Sequence, residues 1–134
     1  MAINILMVDD NERVGRVVKE YLSKFLDCEI LVCVDGYQAL KILDERQPDL
    51  DVIILDMMMR THGGAVADQL RKKPKYRNAL LIFYTALKTH QVDKKFLRGA
   101  YLVHKGEGAL EKLVNIIREE MEKKGKDSAK PPGD

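Results

Sequence analysis

Two hydrophobic patterns alternate along this chain. Short apolar runs recur at Ile3-Asn4-Ile5-Leu6-Met7-Val8, at residues 29–34, at Val52-Ile53-Ile54-Leu55, and at residues 79–84 and 100–104. Runs this short and this rich in Val, Ile and Leu predict strands buried on both faces, as in a parallel sheet covered by helices on each side. Between them the apolar residues take helical spacing. Val14, Val17, Val18, Tyr21, Leu22 and Phe25 form one stripe, Ala39, Leu40 and Leu43 a second, and Leu110, Leu113, Val114, Ile117 and Met121 the last. Each stripe is suited to lie on a sheet. Asn11 is placed to cap the first helix, and Pro48 ends the second. A third helix is predicted over residues 65–72 and a short fourth over 91–98, with Gly99 at its C′ position. Five strands alternating with five helices predict an α/β sandwich with a parallel sheet and right-handed crossovers.

A chain of 134 residues is one domain with a single proper core. That domain is expected over residues 1–124. Residues 125–134 are small, polar and proline-ended, and are expected to form a disordered tail or linker. A net charge of +2 does not imply a polyanionic partner. The basic run Arg71-Lys72-Lys73-Pro74-Lys75-Tyr76-Arg77 reads as a helix end and a solvated loop, so no direct nucleic-acid contact is expected. No signal-peptide pattern precedes Asp9, and no apolar run is long enough to span a bilayer. A cytoplasmic protein without membrane insertion is expected. Cys28 and Cys33, held roughly 16 Å apart along one extended strand, lie beyond disulfide reach.

All strands of a parallel sheet finish at one edge, which is where open α/β sheets bind ligands. That edge receives Asp9 and Asp10 from the first strand, Asp56 from the third, Thr85 from the fourth and Lys105 from the fifth. Crowded carboxylates repel and raise one another's pKa unless a cation sits among them. Mg²⁺ suits such a set of oxygen donors. The Thr85 hydroxyl and the Lys105 ammonium complete a pocket for a phosphoryl group. A carboxylate can itself accept the phosphoryl as an aspartyl phosphate. A solvated cap is the bland reading of any one such aspartate, but it does not account for Asp, Thr and Lys arriving together.

Val8-Asp9-Asp10, Asp35-Gly36-Tyr37-Gln38-Ala39-Leu40, the stretch from Pro48 to Asp56, Thr85-Ala86, Gly99-Ala100 and Lys105 follow in order. Together they resemble the receiver domain of two-component response regulators, over residues 1 to about 124. The resemblance implies a flavodoxin-like three-layer sandwich with sheet order 2-1-3-4-5. It implies that Asp56 is the phosphoacceptor. Asp10 would bind Mg²⁺ directly, Asp9 through water, and the backbone carbonyl of Met58 would be a further ligand. Thr85 would bond the phosphoryl oxygen and Lys105 would pair with it. The implied donor is a phosphohistidine on a sensor histidine kinase or histidine phosphotransfer protein. The output would pass to a downstream protein through the fourth helix, fifth strand and fifth helix. Such a domain catalyses only its own phosphorylation and dephosphorylation.

The sequence departs from that pattern at three places. Arg60 and Gly106 stand where the family most often has proline, and with Gly106 after the lysine the Lys105 loop is expected to be built differently. Leu102 occupies the position three before the lysine where the family carries an aromatic, and Tyr101 falls on the opposite face unless a bulge restores it. These departures motivate an alternative, a degenerate receiver that binds partners independently of phosphorylation. A Mg²⁺-dependent phosphohydrolase of the haloacid-dehalogenase type would want a second aspartate two residues after Asp56, where Met58 stands. Met57-Met58-Met59 reads as loop packing, since thioethers suit soft metals. Met58 and Leu87 flank the expected path of attack on the phosphoryl group, and neither orients a water, so slow hydrolysis is expected. Tyr84 is expected to pack under the helices, and His62, His90 and His104 to be surface residues.

Overall fold

The computed structural model describes residues 2–130. Strands β1 (Ile3–Val8), β2 (Cys28–Cys33), β3 (Val52–Leu55), β4 (Leu80–Thr85) and β5 (Tyr101–His104) form one parallel sheet in the order β2-β1-β3-β4-β5. Between and after them come helices α1 (Glu12–Phe25), α2 (Gly36–Arg46), α3 (Gly63–Arg71), α4 (Lys94–Leu97) and α5 (Ala109–Lys123). This is the flavodoxin-like sandwich with the expected strand order. The register sets the carboxyl edge: Val8 lies beside Cys33 and Leu55, Leu55 beside Phe83, and Thr85 beside His104.

Strand alternation divides the interior into two cores. Ile3, Ile5, Met7, Val52, Ile54 and Tyr84 pack with Val18, Leu22, Leu113 and Ile117 of α1 and α5. Leu6, Val8, Ile53, Leu55 and Phe83 pack with Ala39, Leu43, Val66 and Leu70 of α2 and α3. Every residue of β3 is buried, which is why its sequence shows no alternation. Burial of each such side chain contributes about 1.5–3 kcal/mol. Tyr84 packs as expected.

The α1 stripe is narrower than the sequence suggested. Val18 and Leu22 are buried and Val14 partly so, whereas Val17 and Phe25 are 43% and 41% exposed. Val14, Val18 and Leu22, four residues apart, face the sheet. Phe25 lies on the flank, its ring centroid 4.8 Å from that of Tyr21. Asn11 caps the helix, its side chain accepting the Arg13 N–H at 3.0 Å. Gln47, in the left-handed conformation at φ 45°, closes α2 before Pro48.

Three elements differ from expectation. Helix α3 starts two residues early, because the His62 ring accepts the Gly64 N–H at 3.0 Å and so caps it. The fourth helix, expected over residues 91–98, is a 3₁₀ turn (Thr89–Gln91) followed by the single α turn of α4. Asp93 accepts the Lys95 N–H at 3.0 Å and restarts the helix, leaving Val92 extended and buried. Phe96 then lies over Gly64, where an added Cβ would sit 2.6 Å from its ring. The third difference is the tail. Residues 125–130, expected to be disordered, turn back onto the domain, while residues 131–134 lie outside the described residues. The Asp27 N–H donates to the Ser128 carbonyl at 2.9 Å, Ala129 bridges to Leu26, and Lys126 pairs with Asp51. Composition signals the lack of apolar residues but is blind to these backbone bonds.

Candidate functional site

Backbone bonds at the strand ends fix the carboxylates. The Asp9 N–H donates to the Cys33 carbonyl of β2 at 3.1 Å, and the Asp56 N–H to the Val8 carbonyl of β1 at 3.0 Å, so each acid continues the pairing of its strand by one residue. Asp9, 1% exposed, accepts the Asn11 N–H on Oδ1 at 2.8 Å. Asp56, 4% exposed, accepts the Met58 N–H on Oδ1 at 3.1 Å. Asp10 is exposed, at the mouth of the site. One side-chain oxygen from each of Asp9, Asp10 and Asp56 lies within 4.8 Å of the others. The three acids that the sequence assigned to one edge thus meet there.

Lys105 closes the cluster from the far side. Its N–H donates to the Thr85 carbonyl at 2.8 Å, extending the β4–β5 pairing one residue beyond His104. From that anchor its ammonium reaches Asp9 Oδ2 at 2.7 Å and Asp56 Oδ2 at 3.1 Å, and lies 5.7 Å from the centre of the Tyr84 ring. Burial pushes the Asp9 carboxyl above its ordinary value, and the opposing pull of Lys105 and the Asn11 N–H does not fully cancel it. Burial also works against the Lys105 ammonium, but hydrogen bonds and charge from Asp9 and Asp56 outweigh it and hold its pKa above the ordinary lysine value. Lys105 is therefore a fixed cation between two acids. Thr85 is fully buried at the end of β4, and its hydroxyl accepts the Leu87 N–H at 3.3 Å. Met57 is buried and Met59 partly so, while Met58 is 57% exposed beside Asp56.

Glycines shape the loop after Lys105. Gly106 holds φ 143° and Gly108 φ 77°, conformations that suit a residue without a Cβ. The Gly106 carbonyl accepts the Ala109 N–H at 3.1 Å and starts α5. No peptide bond among the described residues is cis. Pairing of β4 with β5 is regular, so no bulge restores Tyr101. Leu102, opposite Phe83, packs in the α2–α3 core, and the Tyr101 hydroxyl donates to Glu120 of α5 on the other face.

Sequence reasoning missed the partners of two histidines. His62 caps α3 and lies 5.3 Å from Phe96, centroid to centroid. His104 is exposed, yet both its ring nitrogens are engaged, Nδ1 with the Leu87 carbonyl at 2.8 Å and Nε2 with Thr89 Oγ1 at 3.0 Å. The signal was the parity of β5, which puts His104 on the same face as Leu102 and beside Thr85.

A five-stranded parallel sheet with an acidic cluster and a lysine at its carboxyl edge defines a class of α/β domains able to hold a cation there. The response regulator receiver domain family model matches residues 5–118, and the chain belongs to that family. It is 34% identical over 94 residues to the uncharacterized transcriptional regulatory protein YrkP of Bacillus subtilis (strain 168), a match covering 70% of this chain and 38% of that protein. The receiver domain of the Francisella response regulator 1452 superposes with a TM-score of 0.75 at 22% identity, covering 92% of this chain and 99% of that one. The Mn²⁺-bound form of response regulator Rcp1 superposes with a TM-score of 0.70 at 23% identity, covering 87% and 92%. No helix among the described residues is long and apolar enough to cross a membrane.

Proposed function

We propose that this chain is a phosphorylation-operated receiver of a two-component phosphorelay, working in the cytoplasm. It accepts a phosphoryl group on Asp56 from the phosphohistidine of a sensor histidine kinase or a histidine phosphotransfer protein. The observation that carries this reading is the joint arrival of Asp9, Asp10 and Asp56 within 4.8 Å and of the Lys105 ammonium on two of them.

The donors fit a hard divalent cation. Three carboxylates and the Met58 carbonyl offer only oxygen, and exposed Asp10 leaves room for the waters that Mg²⁺ keeps. The similarity to the Mn²⁺-bound Rcp1 structure supports a divalent site. Bound Mg²⁺ would neutralise charge on the phosphoryl oxygens. The protein's own residues do the rest. An Asp56 carboxylate oxygen attacks phosphorus, the P–N bond to the donor imidazole breaks, and the imidazole leaves with the bonding pair. Lys105, held cationic, releases its bond to the Asp56 oxygen that reacts and pairs with a phosphoryl oxygen. Thr85 turns its hydroxyl to donate to another. Met58 and Leu87 present no group that orients a water for attack on the aspartyl phosphate, so release of inorganic phosphate is slow and the phosphoryl group is long-lived. The changed face of α4, β5 and α5 then meets a downstream protein.

A receiver that ignores phosphate is not favoured, because it leaves the meeting of three carboxylates and the Lys105 ammonium without a purpose. Incubation with Mg²⁺ and acetyl phosphate should add the mass of one phosphoryl group, and Asp56→Asn should prevent it. A wild-type chain that stays unlabelled under those conditions refutes the proposal.

A further inference from the structure

We propose that Arg71 and Arg77 seat a carboxylate from an acidic segment of a protein partner, at the edge of the sheet opposite Asp56. The basic run that opens at the end of α3 is solvated as expected, with Lys72, Lys75 and Arg77 exposed. Arg71 departs from that picture. Its guanidinium lies against Gly99, where an added Cβ would stand 3.7 Å from Nη1 and 3.9 Å from Nη2. Nη2 is buried without a hydrogen-bond partner. Asp68, one turn earlier on the same helix and exposed, is the ready local partner for it. Arg71 does not take it. Among the described residues neither Arg71 nor Arg77 forms an ion pair or a side-chain hydrogen bond. The helix dipole accounts for a cation in the last turn of α3, but not for a guanidinium turned inward.

The shape and charge around these two side chains select the occupant. Arg71 and Arg77 share a recess of about 10 Å³ with Leu70, Tyr76 and Leu81. That is room for one oxygen-sized group, so the recess takes the tip of a side chain and not a whole ligand. The two oxygens of a carboxylate match the fork of a guanidinium. Lys73 and Lys75 are already paired, with Asp44 and Asp49. These two acids and Asp68 are exposed and interrupt the basic surface, so a continuous phosphate backbone would run against three carboxylates. Tyr76 is buried with its hydroxyl donating to the Pro48 carbonyl at 2.7 Å, which leaves no ring for a base to stack on. A peptide places its acids at intervals and meets neither obstacle. Helix α3 starts beside Asp56 at Gly63 and ends at Arg71, so this seat is separate from the acidic cluster and does not depend on the phosphoacceptor reading.

The probe is a short oligoglutamate peptide, titrated into the ¹⁵N-labelled full chain at physiological ionic strength. Amide signals of residues 71–77 and of Gly99 should move. Arg71→Met and Arg77→Gln should each weaken binding about tenfold, as loss of a charged hydrogen bond does. Lys19→Gln, which removes an exposed cation of α1, should leave binding unchanged. Arg71→Met keeps the apolar stem and deletes an unpaired buried group, so it should melt at or above wild type. A lower melting temperature would show that the guanidinium serves the fold, and the proposal fails. It fails equally if Lys19→Gln weakens binding as much, if the moving signals lie elsewhere, or if no signal moves and the recess takes only water. A thymidine oligonucleotide of equal charge that binds this face as tightly would make it a nucleic-acid surface and overturn the choice of a peptide.

Discussion

At the scale of single residues, two adjacent glycines carry different burdens. A Cβ on Gly63 would lie 2.1 Å from the Asp56 carbonyl oxygen and 2.9 Å from the Met57 Cα, both backbone atoms of the loop that carries Asp56. A Cβ on Gly64 would instead meet the Phe96 ring, a side chain that can turn aside. Helix propensity favours alanine at either position by up to about 1 kcal/mol, while forced overpacking costs about 1–3 kcal/mol. Gly63→Ala should therefore lose about 2 kcal/mol in denaturant unfolding and slow phosphoryl labelling of Asp56. Gly64→Ala should stay within about 1 kcal/mol of wild type and label normally. Equal effects of the two substitutions would show that the backbone of residues 56–57 yields as readily as a phenyl ring.

Among the elements, those that bury a continuous apolar surface were legible, and those held by polar backbone contacts were not. Val52 to Leu55 announced β3 and delivered Asp56, because a strand buried on both faces needs four apolar residues in a row. Asp9, Asp10 and Lys105 followed from parallel topology alone, since every strand ends at one edge. The collapse of α4 to a single turn was invisible, because it depends on Asp93 capping a new start and on Phe96 finding the gap above Gly64. The parity of β5 placed His104 beside Thr85, but the Leu87 carbonyl that holds its ring stayed hidden, since a loop carbonyl leaves no mark on sequence pattern. The same is true of the segment after α5, which a polar composition hid. Asp51 anchors that segment and β1 together, accepting the Asn4 N–H at 2.8 Å and pairing with Lys126. Burial opposes the Asp51 charge, but these partners outweigh it and hold its pKa below 3.8. A depressed carboxyl stabilises the fold above its unfolded value and loses that contribution as pH falls through the folded one. Asp51→Ala should then cost about 1–2 kcal/mol at neutral pH, mostly from the orphaned Asn4 N–H. The gap from wild type should narrow below pH 3.8 without closing, because only the charge-linked part is lost while the protonated carboxyl still accepts the Asn4 N–H. A gap that persists unchanged in acid would mean the carboxylate charge contributes nothing.

For the molecule as a whole, the acidic cluster is the place where a bound cation would add to stability. Folding gathers Asp9, Asp10 and Asp56 from two strands, and the unfolded chain holds no such site. A ligand that binds only the folded state stabilises it by mass action, about 2.7 kcal/mol at a hundredfold excess over Kd. Lys105 already neutralises Asp9 and Asp56, so a cation must compete with it, which weakens Kd and raises the concentration needed to reach that excess. Mg²⁺ at such excess should raise the melting temperature by about 10 °C for a domain of this size. Asp10 is the discriminating residue, being exposed and therefore removable without disturbing the core. Asp10→Asn should melt near wild type without Mg²⁺ and gain little when it is added. An equal Mg²⁺ shift in wild type and Asp10→Asn would place the cation elsewhere on the surface, and the acidic edge would then owe its cohesion to Lys105 alone.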